Sequence, residues 1–302
     1  MQLYPESLTY SRTDIDTLIK NADLAMYEVK KRGGHGYILF NNIMNDNNVL
    51  MLETEKNLKN AMEKNEFITY YQPIIDLKSM EVIGAESLIR WKREEKVIQP
   101  KEFIPIAKKI GKMVEIDNWM LYNACSQCKK WQELGAKDFS ISVNTSYKQL
   151  LQLNFAQLVM NILHEQLLDP RYLNLEINED EAMENIDLII KVILELKSHG
   201  IRISMDDFGI GYSSLSWLSS LSLDTIKIDR SLLINLDNNS KNIVIIKSII
   251  AVANSLNLKV IAEGIETEAE FAALKELGCD YIQGYLFGKP MSASDFQHDF
   301  IK

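Results

Sequence analysis

Five acids and one asparagine stand at or near the ends of short apolar runs along this chain. Glu86 lies in GAESLIRW, with Arg90 four residues on; Asn144 ends ISVN; Glu176 lies in LEINED, with Glu179 close behind. Asp206 and Asp207 are adjacent, and Glu263 stands in AEGIE, with Glu266 beyond it. Lys227 and Asp229 fall in KIDR, and Gln283 in QGY. A single acid after a strand commonly caps the next helix. Capping accounts poorly for five acids and an amide meeting at one place, where repulsion would drive some of them to protonate. A divalent cation relieves that repulsion. Its ligands would all be oxygens, and none of the four histidines, His35, His164, His199 and His298, lies in these segments. Oxygen ligation favours Mg²⁺ or Mn²⁺ over Zn²⁺. The histidines fall in helices or connections and are expected at the surface. The adjacent aspartates would point to opposite faces of an extended strand. At a strand end, where the chain turns, both can reach the same mouth, one bridging two ions. Two ions roughly 3.5–4 Å apart suit phosphodiester hydrolysis, because both the attacking and the leaving oxygen are stabilised.

The elements that must position these groups are legible from periodicity. Apolar runs at 67–75, 82–91, 139–143, 172–177, 202–206, 225–228, 259–262 and 280–282 read as strands. Helical spacing at 100–110, 116–134, 155–166, 186–199, 213–218, 241–256 and 266–277 lies between most of them. The first two runs are joined by a turn at 77–80, which predicts an antiparallel pair. The βα rhythm that follows predicts a parallel sheet. Eight runs in a domain of roughly 250 residues fit an α/β protein of the (β/α)₈ TIM-barrel type, whose active sites lie at the C-terminal strand ends. An open doubly wound sheet is the alternative, weakened because no G-x-G-x-x-G follows the first strand. Ahead of this body, 14–31 has helical spacing stopped by Gly33 and Gly34, and 36–40 reads as a short strand. These make a small N-terminal α/β fragment. The Asn-rich stretch 41–48 reads as a linker, and 50–64 as a helix leading into the body.

Composition narrows the function classes. The chain has 302 residues, 46 % of them apolar, and a net charge of -9. That charge argues against a DNA or RNA polymer as partner. The three cysteines are an odd number, which argues against a disulfide framework. The C-x-x-C of Cys125 and Cys128 lies on a helical segment without further ligands nearby and reads as packed thiols in a reducing compartment. The first twenty residues carry no apolar core of signal-peptide length. The longest apolar stretch, 243–253, is interrupted by Lys247 and Ser248 and is too short to span a bilayer. The expectation is a cytoplasmic protein, or the cytoplasmic part of a longer, membrane-attached one.

Taken in order, these segments resemble the EAL-domain cyclic di-GMP phosphodiesterases of bacterial signalling. The resemblance covers about residues 55–302 through YYQPII (70–75), ESLIRW (86–91), SVNTSYKQL (142–150), LEINED (175–180), DDFGIGYSSL (206–215), KIDRS (227–231), AEGIET (262–267) and QGYLFGKP (283–290). The name-giving triplet reads Glu86-Ser87-Leu88, with serine in place of alanine. The resemblance implies two Mg²⁺ or Mn²⁺ ions held by Glu86, Asn144, Glu176, Asp206, Asp207 and Glu263, with Asp206 the bridge. It implies that Lys227, Glu263 and Asp207 are catalytic, Lys227 and Glu263 acting on the attacking water, and that Asp229 supports the metal shell and substrate side. Glu179, with Glu266, is implied to anchor the loop that begins at Asp207. Gln72, Arg90 and Gln283 are implied as substrate contacts, Arg90 to a phosphate. The implied reaction opens cyclic di-GMP to the linear dinucleotide, and a homodimer is implied.

Residues 21–40, NADLAMYEVKKRGGHGYILF, resemble the last helix and hairpin of a GGDEF domain without its signature. The implied organisation is a non-catalytic GGDEF remnant at 1–40, a linker and helix start at 41–54, and the EAL domain at 55–302, all within a longer parent protein. A silent EAL domain that senses cyclic di-GMP is the alternative reading. Silent members lose a metal ligand or the loop anchor, and every such residue is in place here. A scaffold acting through protein contacts would leave the carboxylates unexplained.

Overall fold

A computed structural model describes residues 15–31, 34–182, 185–209, 218, 220–234, 236 and 240–301. The chain divides into two compact units, 1–61 and 62–302.

In the first unit, helices run over Ile15–Lys31 and Asn42–Leu58. The Gly34 amide donates to Val29 O at 3.0 Å with φ 79, the left-handed stop that glycine permits. The strand expected at 36–40 is not formed, and Tyr37 and Leu39 are 89 % and 79 % exposed. A strand is stabilised by ladder partners, and no ladder is recorded for this segment among the described residues. The Asn-rich stretch, expected as a linker, is helical from Asn42 and opens the second helix. Asparagine costs a helix only a fraction of a kcal/mol per residue, and the Leu-Glu-Thr-Glu-Lys run that follows contains good helix formers.

The second unit is the expected barrel. Its strands are β1 (Phe67–Asp76), β2 (Val82–Arg93), β3 (Lys96–Ile98), β4 (Ser140–Asn144), β5 (Leu173–Asn178), β6 (Arg202–Phe208), β7 (Thr225–Ile228), β8 (Lys259–Glu263) and β9 (Tyr281–Gln283). The sheet order β1-β9-β8-β7-β6-β5-β4-β2 is closed by β1 pairing with β2. Eight strands thus form the barrel, and β3 adds a short hairpin to β2. β1 runs antiparallel to both β2 and β9, and the remaining barrel pairings are parallel. β3 has only three residues, too few for its periodicity to show in the sequence.

Helices Pro100–Lys109, Met113–Glu133, Phe155–Glu165, Ile186–Ser198, Ser240–Ser255 and Glu268–Leu277 fall within a few residues of their expected places. The last begins with a capping box, Thr267 with Glu270, two residues later than expected. The helix expected at 213–218 lies outside the described residues, apart from Leu218. A further helix, Ala293–Phe300, carries Phe296 into an aromatic cluster with Tyr71, Trp131 and Phe139. Cys125, Cys128 and Cys279 are free and buried, and the four histidines are exposed, both as expected. Among the described residues no helix is long and apolar enough to cross a membrane.

Candidate active site

Parallel strands present alternate side chains to the barrel interior, and several of the interior positions nearest the C-terminal ends converge on one ammonium group. Lys227 on β7 is fully buried. Its Nζ lies 2.7 Å from Glu176 Oε2, 2.5 Å from Glu263 Oε1, and 3.3 Å from both Glu86 Oε2 and Asp206 Oδ1. Glu86 is held from two more sides. Asn144 Nδ2 donates to its Oε1 at 2.8 Å, and Gln283 Nε2 donates to its Oε2 at 2.6 Å. Gln283 also donates to Gln72 Oε1 at 3.1 Å, and Gln72 donates onward to Gly288 O at 3.0 Å. Eight expected site residues, from β1, β2, β4, β5, β6, β7, β8 and β9, therefore form one connected network.

The two aspartates reach the mouth through a local irregularity. The β6–β7 register shifts between Met205 and Phe208, and Asp207 takes φ 55. A bulge lets consecutive residues escape strict alternation, and aspartate tolerates the left-handed conformation better than most residues. One carboxylate oxygen each from Asp206, Asp207 and Glu263 can come within 4.8 Å of the others. Asn178, which the sequence reading did not single out, donates to Asp207 Oδ2 at 2.6 Å. Its signal was its place on the inward face of β5, two residues after Glu176. Buried Glu179 accepts a hydrogen bond from the Gly209 amide through Oε2 at 3.0 Å. It thereby holds the chain where it leaves β6.

Three expected residues stand apart from the carboxylates' own contacts. Asp229 caps the short helix Arg230–Leu233, accepting from the Ser231 amide at 2.7 Å. Glu266 pairs with Arg230 Nη2 at 2.7 Å, with no bond recorded to the described start of the loop. Arg90 is buried, donates to Ile89 O at 2.8 Å and lies 5.3 Å from the Tyr70 ring centroid. Two clefts share Glu86. One, ≈ 400 Å³, has an apolar wall that includes Ile104, Met113, Ile116 and Met120. The other, ≈ 270 Å³, is lined by residues that include Gln72, Arg230, Glu263, Gln283 and Tyr285.

Four carboxylates share one ammonium, and a fifth, Asp207, lies beside them. Burial opposes the charge on Lys227, but Asp206, Glu176, Glu263 and Glu86 hold its pKa well above the ordinary range. Burial would likewise raise Glu86, yet Lys227 and the donors Gln283 and Asn144 bring it below its usual value. The others are left short of positive charge. Burial first, then Glu86 and Asp206, push Glu176 up to about 8 against the pull of Lys227. Burial and the neighbouring Asp206 and Asp229 push Asp207 up to about 6, and Glu263 is raised well above its usual value by burial together with nearby acids. Glu176 Oε1 is buried and accepts no hydrogen bond. An orphaned carboxylate oxygen, all-oxygen donors and an unmet demand for positive charge are what a site for hard divalent cations presents. The residues fit such ions.

A closed (β/α)₈ barrel with a carboxylate cluster at its C-terminal strand ends is the class that fold and site define. Within that class the chain belongs to the EAL domain family, whose model matches residues 55–290. It is 39 % identical over 277 residues to the bifunctional diguanylate cyclase/cyclic di-GMP phosphodiesterase MucR of Pseudomonas aeruginosa, covering 91 % of this chain and 40 % of that protein. It is 34 % identical over 277 residues to the cyclic di-GMP phosphodiesterase NbdA of the same organism, covering 91 % of this chain and 35 % of that one. The chain thus spans well under half the length of these relatives. Among solved structures, the PaMucR phosphodiesterase in complex with c-di-GMP superposes with a TM-score of 0.78 at 38 % identity, over 81 % of this chain and 99 % of the other.

Proposed function

We propose that this chain is a phosphodiesterase that hydrolyses cyclic di-GMP to linear 5′-pGpG. The observation that carries the reading is the convergence of Glu86, Glu176, Asp206 and Glu263 on Lys227, with Asp207 beside them and Asn144 on Glu86. Glu86, Asn144, Glu176, Asp206, Asp207 and Glu263 would hold two Mg²⁺ or Mn²⁺ ions. Such ions supply the charge that activates water and stabilises the attacking and leaving oxygens of a phosphodiester. Lys227 fixes the carboxylates and orients the attacking water. Glu263, the outermost of the four carboxylates around that lysine, receives the water's proton. Water oxygen bonds to phosphorus, the P–O3′ bond breaks, and the 3′ oxygen leaves as a hydroxyl by taking a proton from bulk water, while the proton on Glu263 returns to bulk water. Arg90 binds a phosphate, and Gln72, Gln283 and Asp229 line the substrate side. The apolar wall of the larger cleft suits a planar base, and two clefts meeting at Glu86 suit a two-lobed nucleotide.

The names of MucR and NbdA support this substrate. The bifunctional name of MucR also supports reading 1–40 as a GGDEF fragment, 41–54 as the connection and 55–302 as the phosphodiesterase domain of a longer protein. Three free, buried cysteines support a cytoplasmic setting. The deciding experiment is turnover with product identification. With Mg²⁺ or Mn²⁺ the chain is expected to release pGpG, and chelation to stop it. Tight binding of cyclic di-GMP without cleavage over hours would replace this reading with that of a sensor.

A further inference from the structure

Beneath the carboxylates the barrel interior holds a second polar layer to which the reading above gives no role. Ser142 on β4, Asn174 on β5 and Ser204 on β6 are all buried. Each stands two residues before a candidate cation ligand on its own strand, namely Asn144, Glu176 and Asp206. Alternation places both members of each pair on the same, inward face. The three are joined across the strands. Ser204 Oγ donates to Asn174 Oδ1 at 2.8 Å, and Asn174 Nδ2 donates to Ser142 Oγ at 2.9 Å.

The direction of these bonds matters as much as their presence. Ser204 is the cross-strand partner of Glu176 in the β5–β6 ladder. A serine hydroxyl has one proton, and here Asn174 takes it. Glu176 Oε1, buried and without a hydrogen bond, therefore gains no donor from its neighbouring serine and stays free to accept a cation. Ladder hydrogen bonds set strand register, but they leave interior side chains free to choose among rotamers. A buried side-chain chain of hydrogen bonds is directional and costly to break, so it fixes the three strands' inner faces against each other.

We propose that Ser142, Asn174 and Ser204 are positioning residues, a polar belt that holds β4, β5 and β6 so that Asn144, Glu176 and Asp206 meet a common divalent cation. The inference rests on the cation-binding reading of the site. Its test uses Mn²⁺ alone, titrated calorimetrically into the full chain without nucleotide. Asn174→Leu, with the same number and branching of side-chain heavy atoms but unable to hydrogen-bond, is expected to weaken Mn²⁺ binding roughly ten- to a hundredfold, the range for losing a partner that orients metal ligands. Ser204→Ala is expected to weaken it about tenfold, at the low end of that range. Leu175→Ala serves as the control, since Leu175 is buried on the opposite face of the same strand. It is expected to lower the melting temperature while leaving Mn²⁺ affinity within about twofold, because it touches no belt bond. Wild-type affinity in both belt variants, or an equal loss in Leu175→Ala, overturns the proposal. Should Asn174→Leu not fold, Ser204→Ala, which removes a single oxygen atom, decides alone. Failure of the wild-type chain itself to take up Mn²⁺ would instead overturn the cation site, and the belt with it.

Discussion

Glu86 accepts from three donors on three other strands, Asn144, Lys227 and Gln283. Deleting its carboxylate removes a candidate cation ligand and frees all three partners at once. The fold has reason to survive, because Lys227 keeps Glu176, Asp206 and Glu263. Glu86→Ala is therefore expected to lose more than about a hundredfold in turnover, beyond the usual loss for a supporting residue, with the circular dichroism spectrum unchanged. Near-normal rates in that variant would remove Glu86 from the metal assignment. Ser87, where the resembling family has alanine, tests nothing so sharply. Its hydroxyl donates to Ser142 O at 2.8 Å and is buried without a cost in unpaired groups.

At the scale of elements, the ends of two strands decide whether the site is assembled. The exit of β6 combines a register shift, left-handed Asp207 and Gly209 at φ 101, with the Gly209 amide bonded to Glu179. A hydrogen bond to a charged acceptor contributes about 1.5–3 kcal/mol, so Glu179→Ala is expected to lower kcat roughly ten- to a hundredfold. Cation ligands are untouched, so Mn²⁺ affinity should fall much less than kcat; unchanged kinetics would show that Glu179 does not hold this exit. The exit of β9 depends on close approach. A Cβ on Gly284 would stand 2.1 Å from Ile265 O and 2.3 Å from Ile265 N, both backbone atoms that cannot swing aside. Gly284→Ala must therefore shift Gln283 away from Glu86. An overpacking loss of about 1–3 kcal/mol in denaturant unfolding is expected, together with weaker substrate binding. A variant as stable as the parent would mean that the crossing is looser than the structure has it.

For the whole molecule, the acidic site links stability to pH in a direction opposite to most buried ion pairs. Glu176 is raised from 4.5 to about 8, and Asp207 from 3.8 to about 6. Across that interval the folded chain binds protons that the unfolded chain has released. Stability from these groups is complete below their unfolded values and is lost as pH rises through the folded ones. Glu86 and Asp76 shift the other way, but their transitions fall at or below their ordinary 4.5 and 3.8. In EDTA, the melting temperature is therefore expected to fall as pH climbs from about 5 to about 8. Mn²⁺ should oppose the fall increasingly toward the upper end, since cations bind the deprotonated acids. A flat or rising curve in EDTA would contradict the shared-ammonium picture of the site.

Strand runs and the residues at their ends were legible without the structure, because alternation and apolar runs are local properties of a strand. Eight such runs, in order, were enough to expect a closed barrel, and their terminal acids to expect a cation site. Local pattern also misled where partners were missing. Tyr37 and Leu39 alternate like a strand yet have no ladder partner among the described residues, and an Asn-rich stretch that reads as a linker opens a helix. What tertiary structure alone decided is which groups meet. Lys227 reaches Glu86 across 141 residues, and Gln283 reaches it across 197. The backbone turn that brings Asp207 inward, the Asn178 bond to it and the belt beneath Glu176 are likewise absent from any local pattern. The physical reason is that side-chain alternation is set by each strand on its own. Which ammonium serves which carboxylate is set by barrel closure and by the stagger between strands far apart in the chain.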